Sequence, residues 1–87
     1  MAPMSDTSFK TIEQKLVKHV ATILAVGTSR VSPAVPLHTL GVDSLGFVEL
    51  LVFIEKEYEI KLMESGMTRD DFKNIRSLAK CISKALE

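Results

Sequence analysis

Between Leu45 and Tyr58 the chain contains no proline, and its apolar residues repeat at helical spacing on two opposite sides. With about 100° between successive residues, Phe47, Leu50, Leu51, Ile54 and Tyr58 share one arc of about 100°, wide enough to face a core. Leu45, Val48 and Val52 fall on the other side, interleaved with Glu49, Glu55, Lys56 and Glu59. A helix that is apolar on two faces is either fully buried or has a second partner. Four charged residues on the second face argue against full burial. The stripe of Leu45, Val48 and Val52 rimmed by carboxylates therefore reads as a docking surface. The alternative is that it packs beneath the preceding loop.

The stretch leading into this helix is Leu40-Gly41-Val42-Asp43-Ser44-Leu45. Gly41 permits a sharp turn, and Asp43 or Ser44 caps the first N–H groups of the helix. A serine is thereby placed where free N–H groups and the positive end of the helix dipole favour a phosphate. An Asp-Ser pair in this position is in general only a cap, so the residues on either side must decide.

Those residues carry a resemblance. Gly41-Val42-Asp43-Ser44-Leu45, followed by Val48-Glu49-Leu50, is similar to the Gly-x-Asp-Ser-Leu…Val-Glu-Leu signature of acyl carrier proteins, and the likeness extends over residues 8–86. It implies that the Ser44 hydroxyl bears 4'-phosphopantetheine, with Asp43 beside it in the recognition element. It further implies modification by a phosphopantetheinyl transferase. Acyl-loading, condensing or acyltransferase enzymes would then dock through Leu45, Val48, Glu49, Val52 and Glu55. The family's bundles also part to shelter an acyl chain, for which Ala21, Ala25 and Ala79 are the small residues available. Three departures point away from a housekeeping fatty-acid role and toward a specialised acyl, polyketide or lipid-modifying pathway. Gly46 stands where a polar residue is usual, the helix ends Glu55-Lys56-Glu57-Tyr58-Glu59, and the net charge is zero.

The remaining segments read as an all-α fold, a four-helix bundle of three long helices and one short one. Residues 1–7 have no periodicity and are expected to form a disordered tail before a single carrier domain at 8–87. Thr7 or Ser8 caps a first helix running to about Ala25, with Phe9, Ile12, Leu16, Val20, Ile23 and Leu24 on one face and Gly27 ending it. Residues 28–43, with Pro33 and Pro36, read as a long loop in which Pro33 begins at most a short turn and Val31, Val35, Leu37 and Leu40 anchor it across the bundle end. The short helix is placed at 68–72, capped by Thr68. Asn74 caps a last helix whose buried face is Ile75, Leu78, Ala79, Ile82 and Leu86.

With four Phe, one Tyr and no Trp, aliphatic side chains must form the core. The neutral total hides an uneven distribution: residues 1–42 carry +2, 43–64 carry −4 and 65–87 carry +2, so the centre is an acidic island suited to a basic partner surface. His19 and His38 share no metal-ligand spacing and read as structural or exposed, and no metal site is expected. Cys81 alone cannot form an internal disulfide and reads as a helix-face residue in a reducing, cytoplasmic setting. No catalytic set, nucleic-acid platform or membrane span is visible, and a bundle this small offers little room for a preformed pocket. The chain therefore reads as a monomeric carrier rather than an enzyme, its chemistry supplied by a covalent cofactor. Two other readings stay open: a peptidyl or aminoacyl carrier of a non-ribosomal system, and an unmodified helical adaptor.

Overall fold

The computed structural model describes residues 8–61 and 72–86. These form α1 (Phe9–Leu24), a 3-10 turn (Thr28–Arg30), α2 (Leu37–Leu40), α3 (Ser44–Tyr58) and α4 (Ile75–Ala85), with no strand among the described residues. The architecture is the expected all-α one. Its short helix, however, is α2, inside the stretch that the sequence reads as loop. Pro36 precedes α2 and supplies a preset φ for it, while Pro33 begins the expected short turn, closed by Val35 N donating to Ser32 O at 3.2 Å. Residues 68–71 of the short helix expected at 68–72, and the tail at 1–7, lie outside the described residues.

Each long helix begins on a side-chain cap. Ser8 Oγ accepts from Thr11 N, Asp43 Oδ1 from Gly46 N, and Asn74 Oδ1 from Ser77 N. The end of α1 departs from expectation, because Ala25, not Gly27, takes the left-handed position (φ 58°). Val26 N then bonds to Ala21 O, which closes the helix two residues before the glycine.

The core is the meeting of three apolar stripes. Ile12, Leu16 and Val20 of α1, Leu50 and Ile54 of α3, and Ile75, Leu78, Ala79 and Ile82 of α4 are fully buried. α1 lies most extensively along α4, and Arg76 Nε reinforces that pair at 3.0 Å from Glu13 Oε2. The connection between α1 and α3 is sewn down rather than draped. Val31, Leu37 and Val42 enter the core. Leu37 N donates to Lys73 O, Arg76 N to Pro33 O, and Asn74 Nδ2 to Ala34 O. The loop thus uses the start of α4 as its backbone partner, which satisfies groups that a free loop would leave to water. Ala21 and Ala79 are core residues, whereas Ala25 is an exposed helix end and cannot line the interior.

Candidate functional site

The site begins with the turn that separates α2 from α3. Gly41 sits at φ 107°, a conformation open to glycine and strained for other residues, and its N–H bonds back to His38 O. Val42 N bonds to Leu37 O at 3.1 Å and the Val42 side chain turns into the core. The next two residues then face outward. Asp43 is extended, and its carboxylate accepts from Gly46 N at 2.7 Å while its carbonyl accepts from Phe47 N at 2.9 Å. Ser44 is the first residue of α3 and is exposed.

At a helix start the first backbone N–H groups have no intrahelical acceptor. Asp43 satisfies that of Gly46, so Ser44 and Leu45 are left to present theirs at the positive end of the helix. A phosphodiester on the Ser44 hydroxyl would sit in favourable electrostatics there. Ser44 is exposed and stands outside the core, so a group on its hydroxyl would extend into solvent.

Beyond Ser44, α3 turns an apolar face outward: Leu45 is 70% exposed, Val48 52% and Val52 46%. Glu49 is exposed beside them and Glu55 half-buried. The opposite face, with Leu50 and Ile54, is sealed. The stripe does not pack beneath the loop. At the far end of α3, Lys15 pairs with Glu57 at 2.8 Å and lies 5.9 Å from the Tyr58 ring centroid. Burial raises the Tyr58 pKa, and the Lys15 charge partly opposes that rise.

One part of this region is not legible in the chain. Gly46 is buried where α3 crosses α1: a Cβ there would come within 3.1 Å of Ile23 Cγ2 and 3.2 Å of Asp43 Oδ1. Its neighbours across the crossing form an open groove of about 650 Å³, lined by His19, Thr22 and Ile23 of α1 and by Val48, Glu49, Val52 and Phe53 of α3. The His19 imidazole stacks on Phe53 with centroids 4.0 Å apart and planes 11° from parallel. Burial lowers the His19 pKa below 6.5, and Glu49 partly offsets that fall. A second open groove of about 540 Å³ runs between α1 and residues 28–33. Both are surface grooves open to solvent between elements, not enclosed pockets. His38 is exposed, and among the described residues no three His, Cys, Asp or Glu side chains gather as a metal site would require.

Comparison with known families supplies the deciding observation: the model of the phosphopantetheine attachment site matches residues 14–82, most of the chain. The chain belongs to that family. The match begins within α1 and ends within α4, so it takes in α2 and α3 whole and most of the two outer helices, with the Asp43–Ser44 turn near its middle. Phosphopantetheine-attachment domains are sites of covalent 4'-phosphopantetheine, act as non-catalytic carriers, and work with a phosphopantetheinyl transferase and partner enzymes. This chain is thus a phosphopantetheine carrier domain. No curated protein matches it. No helix among the described residues is long and apolar enough to cross a membrane.

Proposed function

We propose that Ser44 is the attachment residue and that the domain is an acyl carrier serving fatty-acid, polyketide or related lipid biosynthesis. The observation that carries this reading is the position of Ser44: exposed, first in α3, and held there by the Asp43 cap. The cap fixes the hydroxyl at the helix tip, where the backbone N–H groups favour the incoming phosphate, while Val42 on its other side pins the turn to the core. When bound, the arm supplies a thiol that holds cargo as a thioester. The protein itself supplies anchorage and delivery, with no reaction of its own, and tethering raises the cargo's effective concentration at a docked enzyme.

Delivery rests on the outer face of α3. Leu45, Val48 and Val52 form its apolar strip, and Glu49 and Glu55 supply charge for a basic partner surface. The zero net charge and Gly46 favour a dedicated pathway over the housekeeping one. A monomer in a reducing cytoplasm is consistent with the single, half-buried Cys81.

Intact-mass measurement after incubation with coenzyme A and a promiscuous phosphopantetheinyl transferase tests the assignment. Wild type gains one phosphopantetheine and Ser44→Ala gains none. An unmodified wild type would instead identify an adaptor that works through the α3 stripe alone, and addition to Ser44→Ala would move the attachment elsewhere. Loading assays that compare acyl with aminoacyl donors then separate the acyl carrier from a peptidyl carrier of a non-ribosomal system.

A further inference from the structure

The groove at the α1–α3 crossing opens on the same side of α3 as Ser44. Val48 and Val52 follow Ser44 at intervals of four residues, about 6 and about 12 Å along the axis. A flexible chain anchored at Ser44 can lie along this face of α3 past Val48 to Val52. We propose that this groove is the resting site of the prosthetic arm in the holo protein, so that the arm lies along α3 between partners instead of sweeping free. The inference rests on the assignment of Ser44 as the attachment residue.

The lining suits this occupant. A pantetheine arm alternates short apolar segments with secondary amides, each of which needs a donor and an acceptor. Ile23, Val48 and Val52 provide apolar walls, and the stacked rings of His19 and Phe53 provide a flat ledge. The polar groups are spaced among them. Glu49 is an acceptor, and Thr22 Oγ1 donates to Lys18 O at 3.0 Å, so its lone pairs remain to accept. A neutral imidazole at position 19 offers one donor and one acceptor.

The other occupants fit less well. A stable protein interface buries on the order of 1,000 Å² or more, far beyond what this cleft presents alone. A second copy docked symmetrically about this groove would set its own Glu49 near this one. For the tethered arm the entropic cost is small, because a short flexible link gives an effective concentration of the order of millimolar. A contact with a millimolar dissociation constant is then half populated.

The arrangement has a functional consequence. Val48, Glu49 and Val52 line the groove and also form the proposed docking stripe, so a partner seated on α3 competes directly with the resting arm. Docking would release the thiol at the moment an acceptor site arrives, and by reciprocity the resting arm weakens docking.

The test compares apo and holo protein by NMR with amide and methyl labels, followed, in a Cys81→Ala background that leaves the arm's thiol as the labelling site, by a spin label on that thiol. Conversion to holo should shift His19, Thr22, Val48 and Val52 in addition to the immediate neighbours of Ser44. The spin label should broaden those same signals several-fold more than Leu78 or Ile82. In Val52→Lys holo protein, whose substitution lies on an exposed side chain, the broadening at His19 and Thr22 should fall several-fold while the remaining spectrum is retained. Perturbations confined to residues 42–47, or broadening spread evenly over all faces, would overturn the resting site. Intact mass on the same sample separates the two levels of the argument: a sample that never gains the arm refutes the Ser44 assignment and this inference together, whereas a modified sample with a silent groove refutes only the resting site.

Discussion

A Cβ on Gly46 would meet Ile23 Cγ2 at 3.1 Å, so α3 crosses α1 at a residue that has no side chain to hold them apart. The same Cβ would press on Asp43 Oδ1 at 3.2 Å, the oxygen that caps the helix, and on Val42 Cγ1 at 3.4 Å. One missing side chain therefore serves both the helix crossing and the geometry of the Ser44 turn.

Gly46→Ala tests this. Helix propensity alone would raise stability by about 1 kcal/mol. Crowding from three sides, including loss of a cap worth about 1 kcal/mol, outweighs that gain, and the variant should be less stable than wild type. Urea denaturation measures the sign, and a stabilised variant would show that α1 and α3 part freely.

Asn74 joins two tasks: its Oδ1 caps α4 at Ser77 N, 2.8 Å away, and its Nδ2 holds Ala34 O at 3.3 Å. Asn74→Ala should cost about 1–2 kcal/mol, and Asn74→Asp, which keeps the cap acceptor, should cost less. Because Leu37 N bonds to Lys73 O beside this junction, its amide should exchange faster in the alanine variant. Hydrogen exchange at Leu37 unchanged from wild type would separate the loop from the cap.

His19 gives the fold a pH signature. Its folded-state pKa is lowered from 6.5, first by desolvation and against the opposing pull of Glu49. The unfolded chain therefore binds this proton more readily than the folded one. Stability contributed by the neutral ring is present above 6.5 and is lost as pH falls from 6.5 through the folded pKa. Denaturation midpoints for wild type and His19→Gln, followed from about pH 7 to about pH 5, should converge as pH falls in this window. Glu49→Gln removes this opposing charge and should lower the His19 pKa further, readable by NMR titration.

The two faces of α3 should respond oppositely to substitution. Leu50→Ala opens a fully buried site and should cost about 2–5 kcal/mol. Charge reversal at Glu49 and Glu55, or Val48→Ser, should change stability by about 0.5 kcal/mol or less yet slow transfer to a cognate partner by about tenfold. Unaltered transfer kinetics in the charge-reversed protein would refute the docking role.

Much of this was written in local pattern. The caps at Ser8, Asp43 and Asn74, the buried stripes of three long helices and the exposure of Leu45, Val48 and Val52 all follow from spacing, because helical periodicity and capping act over a few residues. Gly41 before Val42-Asp43-Ser44 likewise announced its turn.

What the chain could not announce depended on residues far apart in sequence. Residues 37–40 become helical where their backbone finds Lys73, and Gly46, whose propensity is poor for a helix, stands where a Cβ would come within 3.1 Å of Ile23 Cγ2 on another helix. His19 and Phe53 sit on separate helices and form a ledge only once α1 and α3 cross. Periodicity tells a helix which face to bury; which other face it meets, and what space remains between them, is settled by side-chain volume and backbone pairing across the fold.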